Sequence, residues 1–150
     1  MRILLQRVSS ASVKIDGQIH SEIGPGLLVL LGIETADGSE DIDFLVKKTA
    51  AMRIFPDAEA KMNLSVTEIG GEILVVSQFT LHASTKKGNR PSFIRAARPE
   101  QAIPLYELFL EKMAAESGLR VAAGVFGADM KISLTNDGPV TIWMDSKEKE

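Results

Sequence analysis

The apolar run Leu27–Ile33 constrains this chain more than any other segment. A strand with one face in water alternates apolar and polar residues, whereas a strand buried on both faces reads as a continuous apolar run. The segment Glu72–Phe79 predicts a second buried strand through Ile73, Leu74, Val75 and Val76. The chain has 150 residues, 45% of them hydrophobic, which suits one domain with one sizeable core.

The other segments are read by period and punctuation. Met1–Val8 is a strand with Ile3 and Leu5 alternating against polar neighbours. Asp16-Gly17, between Ser12–Ile15 and Gln18–Ile23, is a hairpin signal, and Gly24-Pro25-Gly26 is a turn. The period changes over Asp37–Met52, where Ile42, Leu45, Val46, Thr49 and Ala50 share one helical face. Ser39 or Asp37 caps that helix, and Glu40, Asp41 and Asp43 suit its positive end. Arg53–Phe55 is a short strand ended by Pro56-Asp57. A second helix covers Glu100–Ser117, with Ile103, Tyr106, Leu110 and Met113 on one face and Gly118 as C-cap. Pro104 fits it only in the first turn. Leu119–Val125, Lys131–Leu134 and Val140–Met144 read as closing strands, and Ser146–Glu150 as a frayed tail. No repeat or linker divides the chain. The expected fold is therefore α+β, a single domain over residues 1–150 with a strongly curved, barrel-like β-sheet and two main helices.

Composition narrows the chemistry. Cysteine is absent, so disulfide and thiolate chemistry are excluded, which fits a reducing compartment. The apolar run in Met1–Arg7 is too short for a signal peptide, and no stretch approaches the roughly 20 apolar residues that span a bilayer. The expectation is a soluble, cytoplasmic protein with no membrane association. The histidines are His20 and His82, with no metal-binding spacing, no phosphate-cradling glycine loop and no dinucleotide pattern, so neither a metal nor a cofactor is expected. The net charge of −3 is wrong for a general nucleic-acid coat. Yet Lys86, Lys87, Arg90, Arg95 and Arg98 fall in one segment without an acid. Such a patch can hold phosphates, and a solvated loop can have the same composition.

Two segments carry possible site chemistry. Asn136-Asp137-Gly138 is turn chemistry, and Pro139 then fixes its own φ and removes a donor. The product is a stiff main-chain corner able to offer carbonyls in one geometry. Only about 5–6% of X-Pro bonds are cis, and spacing alone favours an ordinary hairpin turn before a strand. Ser77-Gln78-Phe79-Thr80-Leu81 ends the best buried strand. Its N–H groups suit an oxyanion hole, though residue types alone favour a plain strand end whose hydroxyls satisfy local backbone groups. A Ser-His-Asp site using Ser77 or Ser84 with His82 lacks the Gly-x-Ser-x-Gly elbow.

Together these motifs resemble the D-aminoacyl-tRNA deacylase family. The resemblance runs from Met1 to about Ser146, through Gln6-Arg7-Val8, Ile23–Gly32, Lys61–Ser65, Leu74–Leu81, Gly88–Phe93, Gly124–Met130 and Asn136–Thr141. Its most specific parts are the pair Ser77-Gln78-Phe79-Thr80-Leu81 and Gly138-Pro139-Val140-Thr141. His82 departs from the tyrosine of many members. The resemblance implies a homodimeric esterase that releases D-amino acids from aminoacyl-tRNA, with glycine mischarged on tRNA also admitted. It implies that a cis Gly138-Pro139 element reaches into the partner's site and rejects L-aminoacyl substrates. The catalytic stretch is then Ser77, Gln78, Phe79 and Thr80, with Thr80 either a nucleophile or a support for attack assisted by the ribose 2′-hydroxyl. Phe126 and Met130 become walls of the adenosine pocket, or core residues, and Lys86, Lys87 and Arg90 become contacts for tRNA phosphates. Two other readings stand beside it: a non-catalytic tRNA-binding dimer and a conventional Ser/Thr esterase.

Overall fold

The computed structural model describes residues 1–149. Its frame is a curved sheet in which one strand is far longer than the rest. β1 (Arg2–Ile15) pairs antiparallel along one side with β8 (Lys131–Asp145). On its other side it pairs first with β3 (Gly26–Gly32) and then with β2 (Gln18–Ile23). β3 continues parallel to β6 (Glu72–Ser77), and β6 is parallel to β7 (Val121–Ala123). β4 (Phe55–Pro56) and β5 (Met62–Leu64) form a small separate ribbon, and α1 (Ser39–Ala51) and α2 (Pro99–Ser117) complete the domain.

Parity along β3 and β6, together with register shifts in β1 between Gln6 and Ser10, divides the apolar residues into two cores. Ile3, Leu5, Leu27, Val29, Leu31, Ile73 and Val75 face the helices and meet Ile42, Leu45, Phe109 and Met113. Val8, Ala11, Val13, Leu28, Leu74 and Val76 fill the concave face, where the far half of β1 curls back. The strands at Leu27 and Ile73 are thus buried on both sides, as their unbroken apolar runs predict. At the base of this pair the strands approach closely: a Cβ on Gly26 would lie 1.8 Å from the Glu72 carbonyl oxygen.

Several boundaries differ from expectation. The cap of α1 is Gly38, whose N–H donates to Asp41 at 2.9 Å; Asp37 is instead buried against the Met1 amino group. The buried stripe of α2 is Ala102, Tyr106, Phe109 and Met113, leaving Ile103 outward. Tyr106 belongs to the expected and the observed stripe alike, and its hydroxyl donates to the Val75 carbonyl at 2.9 Å. Pro104 lies beyond the first turn but faces solvent, where the missing donor leaves the Glu100 carbonyl to water. The strand expected over Leu119–Val125 shortens to Val121–Ala123, and that expected over Arg53–Phe55 becomes Phe55–Pro56.

The end of the chain is not frayed at its start. Ser146 is buried, accepts from the Met1 amino group at 2.8 Å and donates to Asp41 at 2.6 Å. Lys147 Nζ donates to Asp41 at 2.9 Å, and the expectation for Glu150 lies outside the described residues. Burial opposes ionisation of Asp41, but the bonds from Lys147, Ser146 and the Gly38 N–H outweigh it and lower the carboxyl from 3.8 to about 2. An acid depressed in the folded state stabilises above its ordinary value, and that stabilisation disappears as pH falls through the folded value. Acidification from about pH 4 to about pH 2 should therefore remove about 2 kcal/mol through this group. Thermal melts across that window should show the loss, and Asp41→Asn should flatten it.

Trp143 stands on β8, 48% exposed, with the Arg2 guanidinium 5.4 Å from the ring centroid. Among the described residues β8 pairs with β1 alone, so its outer edge is unpaired.

Candidate functional site

The carboxyl end of β6 opens the candidate site. Leu31 and Ser77 are register partners, and the Gln78 N–H donates to the Leu31 carbonyl at 2.7 Å. The chain then tightens into a 3-10 turn, Phe79–His82. Its first internal bond runs from the Leu81 N–H to the Gln78 carbonyl at 3.2 Å. The N–H groups of Phe79 and Thr80 precede that bond and have no acceptor within the turn. Gln78 Nε2 donates to Thr80 Oγ1, so these two side chains brace each other.

Ser77, Gln78 and Phe79 form one wall of a cleft of about 340 Å³. Leu31, Ile33 and Val76 form its floor, and Phe126–Met130 the facing wall. Phe126 and Met130 therefore line the cleft as well as packing on the core. Phe126 leans on Tyr106 with centroids 6.0 Å apart, and burial pushes the Tyr106 phenol up to about 12, so the hydroxyl is a fixed neutral donor. The sole ionisable side chain in the lining is Asp129, paired with Lys131 at 2.9 Å.

His82 does not supply a base. It is 2% exposed, neither ring nitrogen has a hydrogen-bond partner, and burial lowers its pKa. No Ser-His pair forms with Ser77 or Ser84 among the described residues. No group of three His, Cys, Asp or Glu side chains gathers around a potential metal position among those residues either.

The basic segment leaves from the same turn. Ser84 and Ser92 pair across an antiparallel bridge, with N–H to carbonyl distances of 2.8 and 2.9 Å. The intervening hairpin tip carries Lys86, Lys87 and Arg90, all exposed. Arg95 is held by the buried Glu34 carboxylate at 2.8 Å.

Asn136–Thr141 does not join two strands as a hairpin turn. Asn136 pairs with Val8 and Thr141 with Gln6, so Asp137, Gly138, Pro139 and Val140 swing out of one continuous strand opposite Arg7 alone. The Gly138-Pro139 bond is cis. Arg7 Nε donates to the Asp137 carbonyl at 2.8 Å, and Arg7 Nη1 to the Ile54 carbonyl at 2.5 Å. Asn136 Oδ1 accepts from the Val140 N–H at 2.8 Å, and Nδ2 reaches Thr141 Oγ1 at 3.0 Å. Gly138 has φ +136°, and a Cβ there would meet Arg7 Nη2 and Val140 Cγ2, each at 2.9 Å. Gly138 and Pro139 are exposed and do not line the cleft of their own chain. Arg7 and Asn136 are the fastening residues that motif reading left unassigned. A signal for Arg7 existed, since it continues the Ile3, Leu5 parity and so places a cation on a core-facing position.

Fold and cleft define a curved-sheet α+β domain whose pocket lies at the carboxyl end of a buried strand. One solved structure with this fold is described as a probable eukaryotic D-amino acid tRNA deacylase, with TM-score 0.80 at 18% identity over 95% of this chain and 97% of that one. The family model for D-Tyr-tRNA(Tyr) deacylase matches residues 4–145, and the chain belongs to that family. Relatives named D-aminoacyl-tRNA deacylase are 65% identical in Akkermansia muciniphila and 61% identical in Bacteroides thetaiotaomicron, each over the full length of both chains. A solved structure named c-Myc DNA Unwinding Element Binding Protein is 41% identical with TM-score 0.91, covering 97% of this chain and 98% of that one.

Proposed function

We propose that this chain is a D-aminoacyl-tRNA deacylase and that two copies complete each site. The observation that carries the two-copy reading is the corner at Gly138-Pro139: it is rigidly fastened, almost free of side chain, exposed, and absent from its own chain's cleft. A main-chain corner placed at the cleft of a second copy can clasp the amino group and α-hydrogen of a bound aminoacyl ester. An L side chain then collides with it, whereas a D side chain points away. Exclusion of this kind reads handedness without reading side-chain identity, so glycine also passes.

The acyl-adenosine end lies between Phe79 and the Phe126–Met130 wall. Water adds to the ester carbonyl, and the Phe79 and Thr80 N–H groups stabilise the oxyanion. The tetrahedral intermediate collapses, the ribose 3′-oxygen leaves with a proton, and free D-amino acid and tRNA result. The lining holds one ionisable side chain, already paired, which supports assistance to the water by the substrate's 2′-hydroxyl. Thr80, braced by Gln78, is a support on this reading. Lys86, Lys87 and Arg90 hold acceptor-stem phosphates, giving salt-sensitive binding with little sequence preference.

The test is paired deacylation of D-Tyr-tRNA and L-Tyr-tRNA. D-tyrosine should be released and the L-ester left largely intact; equal hydrolysis removes the chirality filter. Binding of uncharged tRNA with no deacylation would instead mean a tRNA-binding dimer. Thr80→Ala should stay within about threefold of wild type, against losses of 10⁴ or more, roughly, for a lost nucleophile.

A further inference from the structure

The wall residue Phe79 belongs to two surfaces at once. It lines the cleft, yet 55% of it is exposed, and its ring meets Phe93 edge-on with centroids 5.0 Å apart. Such a pair covers at most one face of one ring. Next to Phe93, Ile94 stands 89% exposed in a turn closed by the Ala96 N–H on the Phe93 carbonyl at 3.0 Å. Thus Phe79 and Ile94 expose large apolar surface near the cleft, with the half-buried Phe93 against the Phe79 ring, at the foot of the basic hairpin. The stretch from Ala83 to Pro99 contains no acid, and its Lys86, Lys87 and Arg90 have no ion-pair partner among the described residues.

Exposed aromatic faces beside a cationic track are what single-stranded nucleic acid requires: bases stack on the rings and phosphates follow the charges. We propose that Phe79, Phe93 and Ile94 form a stacking platform for the unpaired nucleotides immediately preceding the terminal adenosine of tRNA. This rests on the deacylase reading, because the adenosine in the cleft fixes where its 5′ neighbour emerges. Phe79 spans that exit, with one side in the cleft and the other on the platform. The platform reads the stacking surface of a base and is indifferent to its hydrogen-bonding edge.

The experiment compares two substrates with the same D-tyrosyl ester, one on adenosine alone and one on the trinucleotide cytidine-cytidine-adenosine. Wild type should hydrolyse the trinucleotide ester with a kcat/KM about tenfold higher, the scale of one base stacked on an aromatic ring. Ile94→Ser and Phe93→Leu should erase that advantage and leave the adenosine ester unchanged, while Phe93→Tyr should retain it. Equal rates on both esters in wild type would overturn the platform and leave the deacylase reading intact. Variants that dissociate the protein in sedimentation and lose both activities would overturn it too, by assigning Ile94 to contact with a second copy. Direct binding of a fluorescent cytidine-cytidine-adenosine trinucleotide, weakened about tenfold in the same variants, reads the platform without catalysis. Wild type inert on both esters and on D-Tyr-tRNA would refute the deacylase reading alone, and this binding arm then decides the platform.

Discussion

Replacing Gly138 by alanine is expected to slow D-tyrosine release from D-Tyr-tRNA by about two orders of magnitude, the usual cost of displacing a positioning element by about an ångström. Two constraints act together. The backbone at φ +136° lies where an L side chain is strained, and the added methyl would meet Arg7 Nη2 and Val140 Cγ2 at 2.9 Å. Neither neighbour yields freely, since Arg7 is committed to two carbonyls and Val140 is tied to Asn136. The exposed corner must therefore shift, and with it the carbonyls offered to the substrate. The sheet beneath remains paired on both sides of the excursion, so thermal stability should fall by no more than about 1–3 kcal/mol. Steady-state rates on both mirror-image esters, with melting curves, check this. An unchanged D-rate would remove the corner from the reaction.

Arg7→Leu should act from beneath the same corner, with a comparable loss of rate and a larger loss of stability. It leaves the buried Ile54 carbonyl and the partly exposed Asp137 carbonyl without their donor. A buried acceptor left unsatisfied costs about 1–3 kcal/mol, so the Ile54 carbonyl, with a smaller share from the wetter Asp137 carbonyl and the lost packing of Arg7, should lower stability by about 2–4 kcal/mol. The D/L rate ratio should narrow as well, because the corner loses its anchor rather than the cleft its wall. Arg7→Lys should rescue only in part, since an ammonium cannot reproduce a fork that serves two carbonyls. Denaturant melts and the two-ester assay check the pair. Full activity in Arg7→Leu would show that Asn136 alone holds the excursion.

What the sequence discloses differs between core and corner. The continuous run at Leu27–Ile33 and its counterpart at Ile73–Val76 could be read because burial on both faces leaves no room for polar residues. The stripe of α1 was equally legible. That of α2 was legible in part: Tyr106 and Met113 face the core as expected, while Ala102 and Phe109 take the buried places expected of Ile103 and Leu110. The corner is the clearest miss in local structure. Asn-Asp-Gly-Pro has turn chemistry in either arrangement, and only the pairing of Asn136 with Val8 and Thr141 with Gln6 reveals an excursion inside one strand. One wall of the cleft was visible as Ser77-Gln78-Phe79, and the facing wall only through the resemblance, as Phe126 and Met130, because it rests on a turn near Gly127 far along the chain. Thr80 was placed in the same cluster, but its hydroxyl is braced by Gln78 beside the cleft and not in its lining.

Trp143 is the chain's one tryptophan, on the strand that carries the corner, with about half its surface in solvent. An indole so placed gives the protein a native optical probe. Dilution that separates subunits packed along that strand would redden its emission. Assembly can thus be followed in a cuvette without attaching a dye.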